Sequence, residues 1–275
     1  MEYLELFFNA FLGTVQWTWK SICFEVPWTR NYFWGLIAIS LIVWGVEMLF
    51  PWRKQQSVFR KDFFLDGFYM FFNFFIFSMF ISGVYKIITK ISVDEFQISL
   101  NAIALIDLSN FSPVLQLLIF FVVLDFVQWL THILLHRFSF LWKFHKVHHS
   151  VKEMGFAAHL RYHWMENILY KPFKVIALML LGGFEPEQAF IVHFIAISIG
   201  HLNHANIKLD YGPLKFVFNN PVMHLYHHAK ALPENHKIGA NFAISLSVWD
   251  YIFKTNYVPT PDKNLVLGYS DDQQM

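Results

Sequence analysis

Cysteine is nearly absent: Cys23 is the only one in 275 residues. That excludes an internal disulfide and any thiolate cluster, so a bound metal must be held by nitrogen and oxygen ligands. Charge is scarce as well. Asp, Glu, Lys and Arg make up 15% of the chain, where a soluble domain carries about 25%, and the deficit points to lipid as solvent. The net charge of +1 gives no basic footprint, so no nucleic-acid partner is expected. At the start, Glu2 and Glu5 stand where a secretory leader would place Lys or Arg. The apolar and aromatic residues of 1–19 fit an interfacial helix or a tilted membrane segment instead. The closing DDQQM carries no retention or lipidation motif. Several catalytic signatures are missing too. His132 is followed by Ile133, which excludes H-E-x-x-H. No Glu-x-x-His pair exists, which excludes the soluble carboxylate-bridged bundle. There is neither a G-x-S-x-G elbow nor a dinucleotide fingerprint.

What is abundant is apolar surface: 56% hydrophobic residues, 20% aromatic, 33 of them Phe. Residues 33–50, 67–85 and 113–136 form runs close to or beyond the roughly 20 residues that a membrane helix needs. The first two are joined by a segment bearing Arg53, Lys54, Arg60 and Lys61, which the positive-inside rule places in the cytoplasm. Residues 86–110 then read as a mixed-charge outer loop. The third run returns to the cytoplasmic side, where Arg137, Lys143, Lys146 and Lys152 follow. Residues 175–184 and 189–200 are a shorter apolar pair joined by EPEQ, and a hairpin of either depth returns the chain to its starting side. From Tyr211 onward the sequence is polar and has no spanning run. The expected fold is all-α: a polytopic membrane helical protein with a cytoplasmic, histidine-rich helical cap. Its parts are anchor helices in 1–110, a unit carrying the chemistry in 111–258, and a tail in 259–275.

Eight of the 14 histidines fall in three clusters: His132-x3-His136, His145-x2-His148-His149 and His224-x2-His227-His228. Residues three and four apart share a helix face, so each cluster is expected to aim its imidazoles at one point. Packed imidazoles repel if charged and go unsatisfied if buried, and metal ligation resolves both problems. Neutral imidazole suits iron, zinc, copper or nickel. Asp125, Trp129, His132 and His136 lie on one helix face, and a carboxylate inside an apolar helix usually marks a site. Asp125 is expected to orient a ligating histidine. His204, one turn after His201, and His163, four residues after His159 and three before Glu166, are further candidate ligands or supports. Arg161, Glu166, Asn206, Asn241 and Asp250 are candidates for outer hydrogen bonds to the ligands. His193, alone in an apolar run, reads as packed, and His236, near a turn, as solvated.

These segments resemble the fatty acid hydroxylase / sterol desaturase superfamily, the histidine-box membrane oxygenases. In order they are DFVQWLTHILLHR, LWKFHKVHHS, RYHWMEN, GFEP, HANI, NPVMHLYHHA and NFAISLSVWDYIFKT. Asn241, Trp249 and Asp250 resemble the closing element of that family, with Ala243 and Lys254 where glycines are usual. The resemblance implies a di-iron centre held by His132, His136, His145, His148, His149, His224, His227 and His228, with His204 matching a further histidine. It implies O2 as co-substrate and two electrons from a separate donor, a cytochrome, ferredoxin or similar reductase system. The substrate would be an acyl, sterol or related lipid, hydroxylated or desaturated at an unactivated C–H bond. The competing class is a membrane metal transporter or metal-binding protein without oxygenase activity. Transport needs ligands spread along a path near the bilayer midplane, whereas these cluster at one end.

Overall fold

The apolar runs become helices. The computed structural model describes residues 1–94, 104–183 and 186–269, and among these it contains ten α-helices and no strand, with only two isolated bridges. Helix α1 (Glu2–Ile22) has Glu2 and Glu5 in its first turn and Lys20 in its last, which complements its dipole. Helix α2 (Tyr32–Leu49) starts at Asn31, whose side chain accepts the Trp34 backbone N–H. Helix α3 (Phe63–Phe71) continues through a π turn, Phe72–Ile76, into α4 (Phe77–Asp94). Helix α5 (Pro113–Arg137) has Pro at its start and Ser112 accepting the Leu115 N–H. Three of these runs are long and apolar enough to cross a membrane: Tyr32–Leu49, Phe63–Asp94 and Pro113–Arg137. Helix α1 lies along α4, where Thr14 donates to Ser82 at 3.0 Å and the Phe7 ring packs against the Gly83 backbone.

Shorter helices follow: α6 (Ser139–His145), α7 (Trp164–Leu181), α8 (Pro186–His204), α9 (Pro221–His227) and α10 (Val248–Ile252). Two expectations change. Residues 86–94, read as the start of an outer loop, continue α4, because Lys90 pairs with Glu2 and Asp94 and its charge is absorbed along the helix. Residues 95–103 lie outside the described ones. Of the short apolar pair, residues 175–181 are the second half of α7 and residues 189–200 the middle of α8. The near half of α7 carries Glu166, Asn167, Lys171 and Lys174, so an apolar run alone misses it.

The segment between α2 and α3 folds onto the histidine-bearing half. Asn206 accepts the Arg53 N–H at 2.9 Å, and Gln56 donates to the Met154 carbonyl at 2.6 Å. This segment and the histidine end of α5 therefore face the same side of any bilayer that α2 and α3–α4 cross. Beneath it sits a buried charge cluster. Asp66 is fully buried, is hydrogen-bonded by Arg60, and lies 2.8 Å from Arg161, which also contacts Asp62 at 3.0 Å. Two guanidinium groups thus share the Asp66 carboxylate at the start of α3, and Arg161 also reaches Asp62. Removing one partner of a buried pair leaves an uncompensated charge, so Asp66→Ala is expected to cost about 3–5 kcal/mol of stability. Thermal unfolding in detergent checks this, and an unchanged midpoint would contradict it.

Candidate metal centre

Nine histidines converge in two groups. The first contains His132, His136, His145, His149 and His227, and the second His148, His204, His224 and His228. Within each group the ligand atoms lie within 4.8 Å of one another. All nine are buried except His136, which is half-buried. The expectation that each cluster aims at a single point does not hold. Helix α6 stops at His145, and the chain continues through a 3-10 turn, His148–Ser150. His145 and His149 turn to the first group and His148 to the second. In the last box the roles are exchanged: His224 and His228 join the second group and His227 the first. Successive residues diverge by about 100° in an α-helix and about 120° in a 3-10 turn, so the doubled histidines point apart and each H-x2-HH box bridges two groups.

Hydrogen bonds fix the tautomers. The Nδ1–H of His132 donates to the Phe242 carbonyl at 2.6 Å, that of His148 to Arg161 at 3.1 Å, that of His204 to Gly200 at 2.7 Å and that of His227 to Ala240 at 2.8 Å. His136 donates to Ile238 at 3.2 Å, and His145 to Glu166 Oε2 at 3.0 Å. A carbonyl oxygen can only accept, so the five rings bonded to backbone carbonyls keep a bare lone pair on Nε2, and His145 does so when Glu166 is ionised. Those lone pairs face one another: His132 and His145 Nε2 are 3.1 Å apart, and His148 and His204 Nε2 3.2 Å. His224, whose Nδ1 has no partner, brings its Nε2 to 2.9 Å from the bare Nε2 of His204, where it can donate a hydrogen bond or ligate beside it. His136, His149 and His227 Nε2 are buried with no partner at all. Two bare lone pairs at such distances repel unless a cation lies between them. Metal–imidazole bonds of about 2.0–2.1 Å at angles near 90–110° hold ligand nitrogens roughly 2.9–3.4 Å apart, which is the spacing seen. The residues present therefore fit a metal ion in each group.

The surroundings keep the rings in the ligating form. Burial pushes His145, His149, His204, His224, His227 and His228 well below the ordinary histidine range, and neighbouring imidazoles push them further. His148 falls to about 3, mainly through burial and then through His132. Burial raises Glu166 to about 8.

Among the other expected site residues, Glu166 touches a histidine through its side chain. Asp125 does not: its oxygens accept the Ser245 and Leu246 backbone N–H groups and the Trp249 indole N–H, at 3.0–3.1 Å. Asp250 accepts from Phe242 and Ala243 N–H, Trp129 Nε1 and Thr255 Oγ1. Asn241 sits at φ +52° and ties the Met223 and Tyr257 carbonyls together. These three brace the segment whose Ala240 and Phe242 carbonyls orient His227 and His132, one step behind the ligands. Lys254, where the resemblance has glycine, adopts φ +58°, a left-handed position that glycine fills without strain. His163 stays outside both groups: its Nδ1 accepts the Met165 N–H and caps α7, and its ring packs on Phe144 and Trp164. Asn206 holds the α2–α3 segment, and Arg161 serves His148 through its backbone carbonyl. His159 and His201 pair at 2.8 Å beside His204. A Cβ on Gly200 would enter the His159 ring, so the glycine brings its carbonyl under His204. A cavity of about 160 Å³ opens onto both groups, reaching His132, His145, His148 and His204.

Residues 117–255, half of the chain, match the family described as Fatty acid hydroxylase. Ornithine lipid hydroxylase OlsE of Rhizobium tropici is 30% identical over 154 residues, 56% of this chain and 45% of that protein. Alkylglycerol monooxygenase of Xenopus tropicalis is 28% identical over 146 residues, covering 53% and 31%. The Homo sapiens alkylglycerol monooxygenase is 27% identical over 136 residues, covering 49% and 29%. The chain thus spans less than half the length of each of these relatives, and no solved structure matches it. The histidine groups fall in the segment that the family describes, and the chain belongs to the fatty acid hydroxylase family.

Proposed function

We propose that the protein is a membrane oxygenase that hydroxylates or desaturates a lipid, with one iron ion in each histidine group. The observation that carries this reading is the convergence of bare Nε2 lone pairs in two adjacent, buried groups. Two irons held there would supply O2 activation and the removal of hydrogen from an unreactive C–H bond. The chain supplies the rest. Backbone carbonyls and Glu166 hold each ring in the ligating tautomer, as outer partners of metal-bound histidines do. Buried walls keep water from the reacting carbon, and the cavity beside His132 and His148 admits the lipid. Two electrons come from a separate donor, a cytochrome, ferredoxin or similar reductase. Residues 111–258 form the catalytic unit, 1–110 the anchor and 259–275 a tail. The basic segment Arg53–Lys61 packs on the histidine half, which by the positive-inside rule supports a cytoplasmic site.

The purified protein in detergent is expected to contain two irons per chain and to consume O2 only with lipid and reductant present. Zinc or copper carried across proteoliposomes without O2 consumption would favour the transporter reading. His227→Ala and His224→Ala each strike one group and should each lower iron below that of the parent. Full iron and full turnover in either would contradict the ligand assignment. Glu166→Ala removes the acceptor that orients His145 and is expected to weaken iron binding about 10–100-fold, measured by chelator competition.

The rings outside the spans have lowered pKa values in the folded state, so as pH drops below about 6.5 the unfolded chain takes up protons that the folded one refuses. Their contribution to stability is therefore present above that pH and is lost on acidification, and protons also compete with iron. Iron content and the thermal midpoint should fall together as pH is lowered from about 7 to about 5. A flat profile would contradict the account.

A further inference from the structure

Helix α7 is amphipathic with its polar face turned inward. Asn167, Tyr170, Lys171 and Lys174 recur at three, one and three residues and all line the cavity that reaches the histidines. Phe173, Val175 and Ile176, between and after them, are exposed on the outside. Two ammonium groups thus point into a space whose other walls include Phe74, Leu160, Ile197 and Ile244. Both lysines are half-buried. Their contacts are neutral: Lys174 donates to Gln128 Oε1 at 2.9 Å, and Lys171 lies 3.5 Å from Ser78 Oγ. Among the described residues neither has a carboxylate within ion-pair distance. The nearby carboxylates are already committed. Glu166 receives His145, and Asp125, which shares a small pocket with Lys174, is held by Ser245, Leu246 and Trp249. Unpaired cations are expensive in an apolar setting and mark a place where a negative charge arrives.

The cavity does not end at the lysines. A second one of about 280 Å³ shares Phe74, Tyr162, Asn167, Lys171 and His193 with the first and runs between α1, α2 and α4, past Trp17, Phe33 and Phe75. Lys171 stands at the junction. Lys174 lies eight residues from Glu166, about 12 Å along the helix, and Lys171 about 8 Å. An acidic head group held there has an apolar channel on one side and the histidine groups on the other.

We propose that Lys171 and Lys174 form the head-group site of the substrate, and that the substrate is an anionic lipid, with a carboxylate or a phosphate. This rests on the cavity being the lipid entrance to an oxygenase, but it is tested by binding alone. Hexadecanoate, hexadecyl phosphate and hexadecanol are titrated into the full-length protein in neutral detergent, without reductant or O2, and followed by tryptophan fluorescence. Acetate and inorganic phosphate serve as competitors lacking the chain. Both hexadecyl anions should bind at least about tenfold tighter than hexadecanol, and neither short anion should displace them at equal concentration. Lys171→Met and Lys174→Met should each weaken the anions by about tenfold or more, as expected for loss of one partner of a desolvated ion pair. Hexadecanol binding should not change. The stronger of the two anions names the head group. Equal affinity for hexadecanol in the parent protein overturns the proposal, as do displacement by a short anion and lysine variants that keep the full preference for anions. The comparison in the parent protein decides the matter even if a variant does not fold. Anion preference without turnover would refute the oxygenase and leave the site standing; turnover without anion preference would do the reverse.

Discussion

Everything in the histidine-bearing half serves one constraint: neutral imidazoles must be held with their lone pairs pointing at one another. Left alone, nitrogens such as His148 and His204 Nε2, 3.2 Å apart, would push away. They are kept in place because the other nitrogen of most rings donates to a fixed acceptor. The acceptors are backbone carbonyls at Gly200, Arg161, Ile238, Ala240 and Phe242, and the Glu166 carboxylate. A fixed Nδ1–H dictates a bare Nε2, and a bare Nε2 in a dry interior needs a cation. Burial reinforces this by keeping protons off the rings.

The acceptors are themselves braced. Asp125 and Asp250 gather backbone N–H groups from the segment that carries Phe242, and Asn241 ties that segment to α9. On the opposite side, Arg161 offers its carbonyl to His148, while its guanidinium reaches Asp62 and Asp66 at the start of α3. The candidate membrane helices therefore bear on the site: the charge cluster at the start of α3 sets the position of one acceptor. The same half of the molecule accepts buried charge on α7, where lysines face the cavity, and it is wrapped by apolar residues that fit lipid.

Much of this was legible in the sequence. The three runs long and apolar enough to cross a membrane, the all-helical class and eight of the nine converging histidines follow from hydropathy and from spacing, and His204 from the family resemblance. The division of those histidines between two groups was not, because it depends on α6 ending at His145 and on the 3-10 turn that follows. His163 had the right neighbours and spacing, yet it serves as a helix cap. Asp125 was visible as a costly carboxylate, but its partners, Ser245, Leu246 and Trp249, lie some 120 residues away. Backbone acceptors leave no signature in side-chain identity; only Gly200, one turn before His204, carried a trace of one. The polar face of α7 was missed because a search for apolar runs passes over a helix whose charges point inward.

The central claim is that each group holds its own ion through inward nitrogens. Anomalous diffraction at the iron absorption edge, on crystals of the iron-loaded protein, tests it most directly. Two peaks per chain are predicted, one among His132, His145 and His227 and one among His148, His204 and His224. A single peak, or iron bound away from these rings, would contradict the account.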